Sequence, residues 1–175
     1  MQVFDIQQKC SKYFTYSDLI NCGETLAKNP NLNNNPENEK TYKAIGELCS
    51  NILDPVQDKF GKIRLTYGFA SNNLTRNIKR NIYPKLDQHS GYEKNRKGGY
   101  ICQRLGLACD FYIHDIKMDE VSRYIINNLP FDRLYFYGED RPIHVSYGPD
   151  HKQQIIKMIP YQDRKIPKIT KKENF

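Results

Sequence analysis

Residues 106–115 read GLACDFYIHD, and the alternation in this stretch decides the fold. Leu107, Cys109, Phe111 and Ile113 fall on one face of an extended chain, and Ala108, Asp110, Tyr112 and His114 on the other. One face is built to pack, and the other carries polar chemistry. Upstream, residues 63–69 read IRLTYGF, rich in β-branched and aromatic side chains, and predict a first strand with Gly68 at a turn or close approach near its end. A short basic helix is expected over Asn73 to Arg80, then a long loop from Pro84 to Gly99, of the length that compact domains use for function. Downstream, Val121, Tyr124, Ile125 and Leu129 recur at helical spacing and predict a helix over Met118 to Leu129, with Asp119 and Glu120 near its N-terminus. Leu134 to Tyr137 and Ile143 to Tyr147 flank the turn-rich GEDRP and predict an antiparallel hairpin; His144 and Ser146 point away from the face of Ile143, Val145 and Tyr147. QIIKMIP predicts a last short strand.

The N-terminal third is helical in pattern. Thr15 or Ser17 is placed to cap a helix that runs through Leu19, Ile20 and Leu26 to Asn29-Pro30. The segment NPNLNNNPENE reads as a loop, and Pro36 then opens a second helix whose face holds Tyr42, Ile45, Leu48, Cys49 and Ile52. Pro55 should end or bend it. Helices first and a mostly antiparallel sheet afterwards define an α+β fold. The expected organisation is one domain over residues 1–160, helical over residues 1–60 and sheet-bearing over residues 61–160, followed by a poorly ordered basic tail, residues 161–175.

Lys plus Arg number 27 and Asp plus Glu 20 among 175 residues, a net charge of +7. The excess is regional. Arg76, Lys79, Arg80, Lys85, Lys94, Arg96, Lys97 and Arg104 face only Asp87 and Glu93 in the same stretch, a balance suited to an anionic partner such as nucleic acid or a nucleotide. No run of about 18 apolar residues occurs and MQVFDIQQKC lacks the layout of a secretory signal, so a cytoplasmic chain with no membrane association is expected. Five cysteines with no CxxC pair argue against a disulfide framework or a four-thiolate zinc knuckle. The absence of a P-loop and of a GxGxxG fingerprint argues against a kinase and a dinucleotide dehydrogenase.

If the strands of Asp110 and His144 share a sheet, both side chains project from its polar face, and a carboxylate with an imidazole makes two zinc ligands. GLACDF, preceded by LTYGFAS and followed by PIHVSYG, resembles the zinc-binding pattern of the D-alanyl-D-alanine carboxypeptidase and hedgehog-type metallopeptidase superfamily. Gly106, Ala108 and Asp110 match its S-x-H-x-x-G-x-A-x-D stretch, and His144, Val145 and Ser146 match its later H-x-S strand. The resemblance implies a hedgehog/DD-peptidase-like fold, a zinc cofactor and hydrolytic chemistry. It also locates departures. Gln103 stands seven residues before Asp110, where the family has its first His ligand. Arg141 stands three before His144, where the family has the carboxylate that activates water. Ala70 stands where an Arg would hold a peptide carboxylate. A guanidinium cannot take a proton near neutral pH.

Two repairs follow. In one, His89 folds over the sheet from the basic loop and completes a His89, Asp110, His144 metal site, with Glu139, Glu93 or Asp87 as base and Gln103, Arg104, Arg141 and Ser146 lining a groove for an anionic, phosphate-bearing or peptide-carboxylate ligand. In the other, Arg141 or Arg104 pairs with Asp110 in place of a metal, and the groove binds nucleic acid or nucleotide, with Tyr92, Tyr100 and Tyr112 available to stack bases. A zinc D-alanyl-D-alanine peptidase of the cell wall is the third reading. His114 and His151 read as surface residues and Cys109 as core.

Overall fold

A computed structural model describes residues 5–78 and 83–175. Helix α1 (Tyr16–Ile20) opens on Thr15, whose hydroxyl accepts from the Asp18 N–H while the Asp18 carboxylate accepts from the Thr15 N–H at 2.7 Å. This reciprocal cap satisfies two donors that a helix start otherwise leaves bare. The single first helix expected from the sequence is in fact two. Gly23, at φ +108, separates α1 from α2 (Glu24–Lys28), because a left-handed backbone cannot continue an α-helix.

Helix α3 (Glu39–Leu48) buries Tyr42, Ala44, Ile45 and Leu48. It passes through a π-helical turn, Cys49–Leu53, into α4 (Asp54–Phe60), which carries Pro55 in its first turn. Pro55 therefore does not stop the helix. A proline ring clashes with the carbonyl four residues back, and the wider π turn gives that carbonyl room.

Strand β1 (Ile63–Tyr67), helix α5 (Asn72–Asn77), strand β2 (Leu107–Ile113), helix α6 (Met118–Asn128) and strands β3 (Arg133–Phe136) and β4 (Ile143–Tyr147) follow in the expected order. Residues 79 and 80 of the expected basic helix lie outside the described residues. The sheet order is β1-β2-β4-β3-β5-β6, with β5 spanning Gln154–Tyr161 and β6 spanning Arg164–Thr170. All neighbours are antiparallel except β3 and β5. Residues 161–175 are not a loose tail: β6 pairs with β5 from Thr170 to Arg164, and Phe175 is buried against Phe136. Its Lys-rich composition and Pro167 suit an edge strand, where charge and a missing N–H discourage further pairing.

Leu107, Cys109, Phe111 and Ile113 are buried in one core with Leu134, Ile143, Val145 and the inner faces of α3 and α6. The opposite sheet face is covered by the 83–106 segment, whose Gln88, His89 and Ser90 are buried. Among the described residues, no helix is long and apolar enough to cross a membrane.

Candidate metal centre

The strand pairing lays a polar row across the sheet. Asp110 sits opposite His144, Tyr67 opposite Asp110 and Tyr135 opposite His144, so four side chains from β1, β2, β4 and β3 share one face. A bulge between Leu65 and Tyr67 brings Tyr67 into this register. Gly106 starts the run into β2 at φ +80, and a Cβ there would overlap the Tyr147 carbonyl and Gly148. The glycine of the GLACDF stretch thus lets β2 and β4 close at the Leu107–Tyr147 end of their ladder, three residue pairs from Asp110 and His144.

His89 arrives from the covering loop. The hinge is Gln88, buried, at φ +56, with every hydrogen-bonding capacity of its amide used. Its Nε2 donates to the Leu105 carbonyl (2.6 Å) and Asp132 Oδ2 (2.9 Å), while its Oε1 accepts from Arg133 Nη1 (3.1 Å) and Ser146 Oγ (2.9 Å). The His89 carbonyl accepts from the Ala70 N–H at 3.0 Å. Its Nδ1 donates to the Gly68 carbonyl at 2.8 Å, which leaves Nε2 turned toward Asp110. Gly68 is required there because a side chain would overlap the Leu19 carbonyl.

His89 Nε2 lies 3.4 Å and His144 Nδ1 2.8 Å from the same oxygen, Asp110 Oδ1. One ligand atom from each of the three residues lies within 4.8 Å of the others. Ligands on a tetrahedral metal with bonds of about 2.0–2.1 Å stand about 3.3 Å apart, so two imidazoles and a carboxylate at these separations fit a zinc-type ion after small rotations. Both histidines are buried, whereas the Asp110 side chain keeps 27% of its surface exposed, so the cluster opens to solvent on the carboxylate side. Burial favours the neutral Asp110 carboxyl, yet the His89 charge and the hydrogen bonds from His144 and His89 outweigh it and hold Asp110 well below the usual carboxylate range. Burial likewise disfavours protonated His89, and the Asp110 charge overrides it and raises His89.

Three tyrosines surround the cluster. The Tyr67 ring lies 4.1 Å from the His89 ring and the Tyr135 ring 5.1 Å from that of His144. Burial, with the charges of Asp87 and Asp110, pushes the Tyr67 and Tyr137 hydroxyls up, so both remain proton donors. Arg104 Nη1 donates to the Leu86 carbonyl (2.6 Å) and to Tyr135 Oη (3.3 Å), holding a cation behind His144.

The other expected site residues divide. Gln103 is exposed and donates to the Tyr100 carbonyl at 3.4 Å, so it does not join the cluster of His89, Asp110 and His144. Ser146 is fully buried and spent on Gln88 and Arg133, so it anchors the loop and does not face a ligand. Glu139 is exposed and 3.6 Å from Lys117, at the N-terminus of α6. Arg141 is exposed in the turn between β3 and β4. Asp110 pairs with the two histidines and Arg104 with Leu86 and Tyr135, so neither arginine substitutes for a metal by pairing with Asp110. Glu93 is buried and accepts from the Glu37 and Asn38 N–H groups and the Thr41 hydroxyl, clamping the loop to the start of α3. His114 and His151 are exposed.

Tyr67, Tyr135, Tyr137 and Gln88 escape a reading of motifs. The first two were in principle accessible through strand register, as the partners opposite Asp110 and His144. No family model, no curated protein and no solved structure matches this chain.

Proposed function

We propose that this chain is a metal-assisted hydrolase-like domain of DD-peptidase and hedgehog type, with a remodelled site that acts on an anionic ligand. The observation that carries the reading is the convergence of His89, Asp110 and His144 within 4.8 Å at a partly open position. A zinc ion held there would act as a Lewis acid toward a carbonyl or phosphoryl group and lower the pKa of a bound water. Three protein ligands with one open position are the usual arrangement of a catalytic zinc site.

The chain's own residues do the rest. His89 Nδ1, tied to Gly68, presents Nε2 in a fixed direction. Asp87 is the proton acceptor of this reading. Its Oδ1 is buried with no hydrogen-bond partner among the described residues, and its charge acts on His89, Tyr67 and Tyr137. It takes the place of Glu139, whose carboxylate is engaged with Lys117. The Tyr135 hydroxyl accepts from Arg104 and so turns its own proton outward, where it can donate to a developing oxyanion. The Arg104 guanidinium, half-buried, supplies charge for an anionic group on the ligand.

The test is zinc titration of protein purified without a polyhistidine tag, together with hydrolysis of peptides that end in a free carboxylate. Near one equivalent of zinc, lost in both His89→Ala and His144→Ala, supports the reading. Asp87→Asn should keep the zinc and lose turnover by roughly 10²-fold or more. Less than a tenth of an equivalent of zinc in the unmodified chain overturns it.

A further inference from the structure

In the core on the side of the sheet away from His89, Asp110 and His144, two of the five cysteines stand in contact. Cys10 Sγ lies 3.7 Å from Cys49 Sγ. The contact is built from several directions. The Cys10 N–H donates to the Phe14 carbonyl at 2.9 Å, closing the turn that carries it. Asp54, at the start of α4, accepts from Ser11 Oγ (2.9 Å), the Lys12 N–H (3.0 Å) and the Tyr13 N–H (3.4 Å), so the turn is fastened to the helix that follows Cys49. Gly46, one helical turn before Cys49, has no side chain to hold the strap away: a Cβ there would meet the Cys10 carbonyl at 3.3 Å. Cys10 is half-buried and reachable, whereas Cys49 is fully buried.

We propose that Cys10 and Cys49 form a reversible disulfide under peroxide or disulfide oxidants, locking the N-terminal strap to the π-helical turn. With hydrogen peroxide, the Cys10 thiolate attacks one peroxide oxygen, forms an S–O bond and releases hydroxide, which a proton converts to water. Cys49, giving up its proton, attacks the Cys10 sulfur, forms the S–S bond and expels the second oxygen as water. In sum two thiols and one peroxide give one disulfide and two waters, the thiols losing the two electrons the peroxide gains. The sulfurs must close by about 1.7 Å to reach a bond of about 2.05 Å, a motion within the reach of side-chain rotation. Burial pushes the Cys49 thiol up and keeps it protonated until the partner is oxidised, which makes Cys10 the first to react.

The bond closes a loop between positions 10 and 49, long enough to remove substantial freedom from the unfolded chain. A rise in Tm of roughly 5–10 °C is expected. The experiment treats the full chain with hydrogen peroxide, then counts free thiols in denaturant and maps peptides without reduction. The expected result is a fall from five thiols to three, a Cys10–Cys49 cross-linked peptide, and return to five with dithiothreitol. Cys10→Ser, a change at the half-exposed partner that leaves the core intact, should hold at four thiols and lose the gain in Tm. An unchanged count of five, oxidation of Cys10 beyond the sulfenic acid with no cross-link, or a cross-link of Cys49 to Cys109 overturns the proposal.

Discussion

Gln88→Ala removes no metal ligand, yet the structure makes it a severe change. The amide makes four hydrogen bonds in a buried setting: to the Leu105 carbonyl, Asp132, Arg133 and Ser146. Neutral bonds contribute about 1 kcal/mol each, and bonds to charged groups about 1.5 kcal/mol or more, for a gross loss of about 5 kcal/mol. Asp132 and Arg133 keep each other, the Lys152 N–H still donates to Asp132 at 2.8 Å, and water can enter the space left. The net cost should therefore be about 3 kcal/mol. For a chain of this size that is a fall in Tm of roughly 6–12 °C. The second consequence reaches the metal cluster. Gln88 carries the left-handed kink that aims His89, so zinc affinity should drop roughly 10- to 100-fold although all three ligands remain. Thermal unfolding by circular dichroism and competition titration of zinc measure the two effects on one preparation. A Tm within about 1 °C of the parent, or unaltered zinc affinity, would refute the claim that this amide positions the loop.

Other perturbations separate the remaining roles. Burial raises Glu93 above its ordinary value despite three donors, so its contribution to stability is full below the unfolded pKa of about 4.3 and is lost as pH rises through the folded value. Glu93→Gln should flatten the decline in Tm as pH rises above the unfolded carboxylate value; a slope equal to the parent's would count against the clamp to α3. Gly106→Ala demands a strained backbone and collides with the Tyr147 carbonyl, so a loss of at least about 2 kcal/mol is expected in chemical denaturation. Arg104→Ala should weaken binding of an anionic ligand and reduce its salt dependence while leaving zinc stoichiometry intact, as read by titration at two ionic strengths.

Much of the fold was legible because its signals are local. The alternation of 107–113, the helical spacing in 42–52 and 118–129, and the Thr15 cap each depend on neighbours a few residues away, and each appears where expected. The break at Gly23 was present in the sequence but weak, since a glycine within a helical pattern costs only about 1 kcal/mol. Strand β5 was legible in QIIKMIP, but its partner β6 was hidden by its own function as an edge, because Lys and Pro there imitate a disordered segment. The site divides along the same line. Asp110 and His144 follow from two strand patterns, whereas the positions of Gln103, Glu139 and Ser146 could not be judged without knowing which way the loop and the turns leave the sheet.

By itself the sequence determined strands β1 to β5, most of the helical segments, the polar face of β2 and β4, and the chemical kinds of group available to a metal. Only the tertiary structure decided that His89 joins Asp110 and His144 and that Gln88, Gly68 and Ala70 hold it there. The physical reason is that strand periodicity fixes direction from residue to residue, while a ligand recruited by a long loop is placed by hydrogen bonds to distant regions of the chain, at no interval the sequence records.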